Sequence, residues 1–340
     1  MLRTLLAFVF TGLLSLSADT LVKRTQLMMG TYVSISLEKE NLSASNLAFD
    51  RIRKVEKALS SYDKEAEIYK LNHLNVTSIS ADTYEALALS KQYYKQTHGY
   101  FDITIGSITK GLFHFGENTT LPVSSDLQKA RINFQGLRFT DTQAYTDKGI
   151  TIDLGGMGKG FGVDKAVEVL KEQGVDRGVV SLSGDIRCLH KCEMSIQHPF
   201  HEGLLASFKM SEKGMGISTS GNYRRFVKSS KYNHLINPKT HQSQRVFASV
   251  TLMSNSLSNS DLDAYATAAS VMPYHKAIDF LEDIPKLAYL LVTTSRKIHM
   301  NDQFRYLTSE LKLSELSDSK KKEYIKVKPS KTQNSKKPRP

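Results

Sequence analysis

The stretch Thr151–Asp164, TIDLGGMGKGFGVD, restricts what this chain can fold into more than any other. Glycines stand at 155, 156, 158, 160 and 162. Thr151, Ile152 and Leu154 read as the end of a strand, and the apolar spacing from Asp164 onward (KAVEVLKEQG) predicts a helix. A strand, a glycine-rich turn and a helix bring backbone close to a phosphate or a metal, because glycine has no Cβ to hold the ligand away. The same stretch would equally make a tight turn that packs a helix on a sheet. It is no Walker A loop, since no Gly-Lys-Ser/Thr follows a four-residue gap, and Lys159 interrupts a dinucleotide fingerprint.

The expected organisation is a signal peptide over 1–18, a folded domain over 19–316 and a basic tail over 317–340. Arg3 precedes an apolar run, Leu5–Leu16, too short to span a bilayer, and Ser15, Ser17 and Ala18 suit signal peptidase. No cysteine follows that run, which argues against a lipid anchor. An exported, periplasmic protein is the expectation. The net charge is +12, but +8 of it lies in Lys320–Pro340 and one more charge in Arg3, which leaves about +3 on the body. The basic excess therefore sits in the tail, not in a groove, and nucleic acid is disfavoured as a partner. With little apolar content and three prolines the tail should be disordered, a solvated segment that could make weak contact with anionic lipid. Cys188 and Cys192 are the only cysteines. In an oxidising compartment a small disulfide loop is the simplest reading, ahead of free thiols and of a metal shared with His190.

Along the chain, Thr31–Leu37 (TYVSISL) alternates as a half-buried strand does. Leu47–Leu59, Ile68–Asn72 and Asp82–Thr97 carry helical spacing. Gly99–Gly106 (GYFDITIG) is either core with one surface turn or a stacking platform beside a ribose or phosphate, and a polar loop is expected from there to Gly149. Gly178–Leu182 (GVVSL) reads as a buried strand ending at Ser183-Gly184-Asp185. Ile217–Tyr223 (ISTSGNY), ahead of Arg224 and Arg225, reads as a turn, able to present hydroxyls and N–H groups to an anion or merely to join two strands. Tyr232–Pro238 places His234 in a strand-like run, as a satisfied core residue or a catalyst. Val246–Met253 is again strand-like. Asn259-Ser260-Asp261 should cap a helix in which Asp263 and Thr267, four apart, share a face. The pair is either two oxygen ligands for one hard cation or a solvated polar stripe. The elements mix α and β without regular βαβ alternation, which disfavours a Rossmann fold.

Taken in order, Met29-Gly30-Thr31, Ser61-Tyr62, Gly99–Asp102, Asp153–Gly160, Ser218–Gly221, His234–Pro238 and Asp263–Thr267 resemble the successive signature blocks of the ApbE family, the FAD:protein FMN transferases of bacterial envelopes. The resemblance runs from about Met28 to Met272 and beyond. It implies an α+β fold of T-fold-like antiparallel sheets flanked by helices, with the active site in a cleft. It implies that Met29, Tyr62, Tyr100, Phe101 and Asp102 hold FAD, that Asp153 and Lys159 contact the flavin nucleotide, and that Leu235 and Ile236 line the flavin site. Magnesium would be held by the Gly156 carbonyl and the Asp263 and Thr267 side chains, with Ala266 as a carbonyl contact between them. His234 matches the family's catalytic histidine. Three positions depart: Asn237 stands for the usual Asp, His241 for the usual Gly, and Ser183 for the first glycine of a Gly-Gly-Asp/Asn turn. The implied reaction moves the FMN half of FAD to a Thr or Ser hydroxyl of an acceptor protein and releases AMP. The implied acceptors are flavin-carrying subunits of membrane redox complexes or other envelope flavoproteins. Hydrolysis of FAD to FMN and AMP would use the same residues, whereas a non-catalytic flavin-binding protein would need neither the base nor the metal pair.

Overall fold

Thr31–Leu37 forms a strand with the bounds its alternation predicts, and its Val33, Ile35 and Leu37 are buried. The computed structural model describes residues 21–115, 119–222 and 226–316. The signal-like segment 1–18, the tail from 317, and Tyr223, Arg224 and Arg225 lie outside the described residues. The chain begins with β1 (Val22–Met28), β2 (Thr31–Leu37), α1 (Leu42–Leu59), α2 (Glu67–Leu74), β3 (Val76–Ser78), α3 (Ala81–Gln96) and α4 (Gly106–Thr109). Next come α5 (Ser124–Lys129), β4 (Leu137–Phe139), β5 (Gln143–Thr146), α6 (Gly158–Glu172), β6 (Gly178–Leu182), β7 (Asp185–Cys188), β8 (Glu193–Gln197) and β9 (Leu204–Met210). Then β10 (Gly216–Gly221), β11 (Phe226–Val227), β12 (Ser229–Asn233), β13 (Ile236–Asn237), β14 (Gln242–Ser243) and β15 (Phe247–Ser254) follow. The last elements are α7 (Asn259–Val271), α8 (Tyr274–Glu282), β16 (Ala288–Thr293), β17 (Ile298–Met300), α9 (Asp302–Tyr306) and β18 (Thr308–Leu313).

Eight strands make one antiparallel sheet in the order β1-β2-β6-β7-β10-β15-β16-β17. Strand β16 shows how its two faces are specified, because successive side chains point to opposite sides. Tyr289 and Leu291 enter a core shared with α7 and α8, while Ala288, Leu290 and Val292 enter a second core under the small sheet β18-β9-β8. Helices α1 and α6 cover the β1–β2–β6 end, with Phe49, Ile52, Val163 and Leu170 against Val33, Ile35, Val180 and Leu182. The fold is α+β, built of antiparallel sheets flanked by helices. Among the described residues no helix is long and apolar enough to cross a membrane.

The structure departs from the sequence reading in several places, each with a local cause. Thr151–Leu154 is not a strand. Thr151 makes one bridge to Ile105, and the Asn72 side-chain amide satisfies both Ile152 N–H (2.7 Å) and Ile152 C=O (2.9 Å), standing in for a partner strand. Helix α6 starts at Gly158 rather than at Asp164, so three of the glycines are helical. Ile217–Gly221 is not a turn but lies within β10, paired along its length with β15, while β7 pairs with the strand at Gly216 and Ile217. The supposed loop up to Gly149 holds α5, β4 and β5. His234 sits at a bend between β12 and β13, outside any strand. Cys188 and Cys192 form a disulfide at the β7–β8 connection.

Candidate active site

The site is built on the crossing of α6 and α7. A Cβ on Gly160 would lie 2.2 Å from the Asn259 carbonyl oxygen and 2.9 Å from the Asp263 Cβ, so only glycine lets the helices approach this closely. Farther along α6, the Asp164 carboxylate accepts from Asn259 N (2.8 Å), Ser260 N (2.8 Å) and Ser260 Oγ (2.6 Å). One helix thus satisfies the orphan N–H groups at the start of the next. Ser258 and Asp261 add a capping box, so the cap is Ser258 and Asn259 is already helical. Gly160→Ala should lower stability by about 3 kcal/mol, because the clash is with backbone and no rotamer relieves it. A denaturant midpoint equal to that of the parent would show that the seam tolerates a methyl group.

Across this seam, Lys159 Nζ lies 2.9 Å from Asp185 Oδ2 and 3.1 Å from Asp263 Oδ2. Asp263 also accepts from Gly160 N at 3.1 Å, and Asp185 from Ser218 Oγ at 2.5 Å. Both carboxylates are buried, so the reading of a solvated stripe on α7 fails. Burial works to discharge Lys159, but the two carboxylates outweigh it and hold its pKa above the ordinary lysine value. Burial, and then the charge of Asp263, pushes the Asp185 carboxyl up to about 7. Two carboxylates share one ammonium, and when both are ionised one negative charge is left for a cation to neutralise.

Thr267 Oγ1 donates to the Gly156 carbonyl at 3.1 Å, one helical turn along α7 from Asp263. Gly156, Asp263 and Thr267 therefore present carbonyl, carboxylate and hydroxyl oxygens together, a donor set of the kind magnesium takes. Ala266 packs into the core, and its carbonyl accepts from Ser270 Oγ at 2.7 Å. Among the described residues no group of three or more His, Cys, Asp or Glu could hold a metal, so a cation here would rely on backbone, hydroxyl and ligand oxygens.

These groups open into a cleft of about 1140 Å³. Of the residues singled out from the sequence, Met29, Tyr62, Tyr100, Phe101, Asp102, Asp153, Gly156, Lys159, His234, Leu235, Ile236, Asp263 and Thr267 all border it, and Ala266 does not. Met29 N donates to Glu56 Oε1 at 2.6 Å. Tyr62 OH donates to the Phe115 carbonyl at 2.7 Å, and the Lys110 ammonium stands 3.7 Å over the Tyr62 ring. Phe101 is buried edge-on to Tyr93, with ring centroids 5.6 Å apart. Asp102 accepts from Thr104 Oγ1 at 2.7 Å, and burial raises its pKa against that bond. Asp153 accepts from Thr109 Oγ1 at 2.6 Å and from Gly155 N at 2.9 Å, which folds the glycine-rich turn over it.

His234 reaches the cleft from its bend, edge-on to Phe115 with ring centroids 6.4 Å apart. His241 does not: its Nδ1 is 2.7 Å from the Leu127 carbonyl, away from the cleft wall. The Asn237 amide donates to the Val271 carbonyl at 2.8 Å, a bond the usual Asp could not make. Ser183 and His241 both have left-handed backbone, at φ 60° and 59°. The two replacements of expected glycines therefore keep a glycine-like path, at about 1 kcal/mol each.

Asp185, Glu56, Thr109 and Lys110 also border or brace the cleft and were not singled out from the sequence. Asp185 carried a signal, as the polar end of a buried strand at a Ser-Gly-Asp turn. Lys110 carried none, since a lysine after a short apolar run is ordinary.

An antiparallel α+β architecture around such a cleft defines a class already represented among solved structures. The ApbE protein of Thermotoga maritima superposes with a TM-score of 0.77 at 21% identity, over 85% of this chain and 100% of that one. The flavin transferase ApbE from Vibrio cholerae does so with a TM-score of 0.72 at 21% identity, over 84% and 99%. The chain belongs to the ApbE family, whose model matches residues 29–291. Among its relatives is an FAD:protein FMN transferase of Buchnera aphidicola, 27% identical over 62% of this chain and 68% of that one. Another of that name, from Escherichia coli K12, is 26% identical over 74% and 78%.

Proposed function

We propose that this chain is an FAD:protein FMN transferase, which moves the FMN half of FAD to a Thr or Ser hydroxyl of an acceptor flavoprotein and releases AMP. The observation that carries the reading is the meeting, on one cleft, of the Lys159–Asp185–Asp263 cluster, His234 and an aromatic wall. The names of the relatives agree with it.

In this reading Met29, Tyr62, Tyr100, Phe101 and Asp102 hold the flavin nucleotide, Leu235 and Ile236 give its ring an apolar surface, and Asp153 fixes the turn beneath it. His234 takes the proton of the acceptor hydroxyl, the work an imidazole does well near neutral pH. The hydroxyl oxygen then bonds to the FMN phosphorus. The bond from that phosphorus to the bridging oxygen breaks, and AMP leaves with the bridging oxygen. Lys159 offsets phosphate charge. Gly156, Asp263 and Thr267 would hold magnesium, with Ala266 at most a backbone neighbour. The ion, when bound, supplies charge neutralisation at the pyrophosphate. Acceptors of the expected kind are flavin-carrying subunits of membrane redox complexes or other envelope flavoproteins. The Cys188–Cys192 disulfide supports a periplasmic setting reached through the signal peptide.

The test mixes protein, FAD, Mg²⁺ and a soluble acceptor domain, and reads in-gel flavin fluorescence with a mass gain equal to FMN. Free FMN without adduct would indicate hydrolysis instead. AMP release should require a divalent cation and stop in EDTA. Undiminished release in EDTA would remove the metal from the mechanism.

A further inference from the structure

Strand β8 lies at the edge of the small sheet β18-β9-β8 and also borders the cleft. Four successive residues of β8, Met194, Ser195, Ile196 and Gln197, line the cavity. In a strand, neighbouring side chains point to opposite faces, so what four successive residues share is the strand's edge. Met194 and Ile196 indeed bury their side chains in the core between the sheets, whereas Ser195 and Gln197 are exposed. The pairing fixes which backbone groups face outward. Met210 N donates to the Cys192 carbonyl at 2.9 Å, and the register continues with Met194 opposite Phe208 and Ile196 opposite Ala206. Antiparallel ladders alternate hydrogen-bonded and non-hydrogen-bonded pairs, so Glu193 and Ser195 turn their N–H and C=O groups to the other side. Among the described residues no strand runs along that side.

The cleft is also a large one. Its volume of about 1140 Å³ exceeds the roughly 300–1,000 Å³ of ordinary ligand pockets. A protein substrate has to bring a hydroxyl into this space on a length of polypeptide. Each N–H and C=O that enters must find a partner or carry a desolvation cost. An extended segment laid along β8 would find them, which is the physics of strand addition at a sheet edge.

We propose that the acceptor segment bearing the modified hydroxyl docks as an added strand on the outer edge of β8 at Glu193–Ser195, with the Ser195 N–H and C=O forming the central rungs. The inference rests on the transferase reading. Recognition is then largely of backbone, and alternate side chains of the segment face the cleft and the solvent.

The probe is the FMN-free soluble domain of a flavin-carrying redox subunit. Ser195→Pro removes an N–H that β9 does not use, at an edge position where proline is tolerated. It should raise the acceptor KM tenfold or more, whereas Ser195→Ala, which keeps the N–H, should stay near the parent value. Flavin fluorescence on adding FAD reports whether the cleft of each variant is formed. In the unmodified protein, amide hydrogen exchange at 193–196 should slow when the acceptor domain binds, using a form whose target hydroxyl has been replaced so that it cannot react. That measurement decides the matter if Ser195→Pro fails to fold. A Ser195→Pro variant with the parent KM, or unchanged β8 exchange in the complex, overturns the docking mode and leaves the transferase reading standing. A parent protein that modifies no acceptor while still consuming FAD overturns both.

Discussion

Replacing Asp263 by alanine is expected to lower FMN transfer by about three orders of magnitude or more. Asp263 supplies the only carboxylate among the three proposed magnesium ligands, and a hard cation left with neutral oxygens is poorly held. The loss should not be confined to catalysis. Asp263 is buried, accepts from Gly160 N and balances Lys159, so alanine leaves a partly uncompensated charge and an unpaired N–H at the α6–α7 seam. About 3 kcal/mol of stability should go with it. A solvated polar stripe on α7, one of the two readings of the sequence, would predict no such loss, and the buried position of Asp263 corrects that. Asp263→Asn is therefore the sharper variant, since it keeps the shape and an acceptor for Gly160 N while removing the charge. Thr267→Ala removes a neutral ligand and should do less, with part of the loss recovered at high Mg²⁺. Single-turnover transfer to a soluble acceptor, alongside a thermal melt, separates the two effects. A folded Asp263→Asn protein working at the parent rate would sink the magnesium assignment.

His234→Ala should slow transfer by about two orders of magnitude, the scale of a positioned base, with FAD binding largely kept. His241 offers the control that the sequence could not choose. It stands seven positions further on, yet its ring is bonded to the Leu127 carbonyl outside the cleft. His241→Ala should therefore transfer at close to the parent rate. If the effects of the two variants were exchanged, the base would have been assigned to the wrong histidine. Equal, parental rates in both would return His234 to being a wall residue.

Much of the cleft was legible in the sequence because its residues sit in short, ordered blocks around glycine and aromatic positions. A strand with clean alternation was legible for a simpler reason: in β2 one face alone is strongly apolar, and the period shows it. Where side chains replaced ladders the reading failed. Ile152 and Leu154 look like strand residues because they are buried, but Asn72 rather than a neighbouring strand satisfies the Ile152 backbone. The polar run Ile217–Gly221 looked like a turn because Ser and Thr are common in turns, yet here Ser218 bonds Asp185 and Thr219 meets Thr251 across the sheet. The capping of α7 by Asp164 was out of reach, since the partners are 95 and 96 positions apart.

That separation has a consequence for how the protein comes into being. Lys159 and Asp263, whose pairing lies at the heart of the cleft, are 104 positions apart, and Tyr62 meets Phe115 across 53. Chains ruled by such distant contacts close large loops before any reward arrives, and they fold slowly. No nascent chain that stops short of α7 can possess the cluster, because Asp263 lies on that helix. Flavin binding should thus appear only once α7 has docked on α6. FAD would then act as a ratchet on maturation, holding the finished state by mass action against its unfinished precursors.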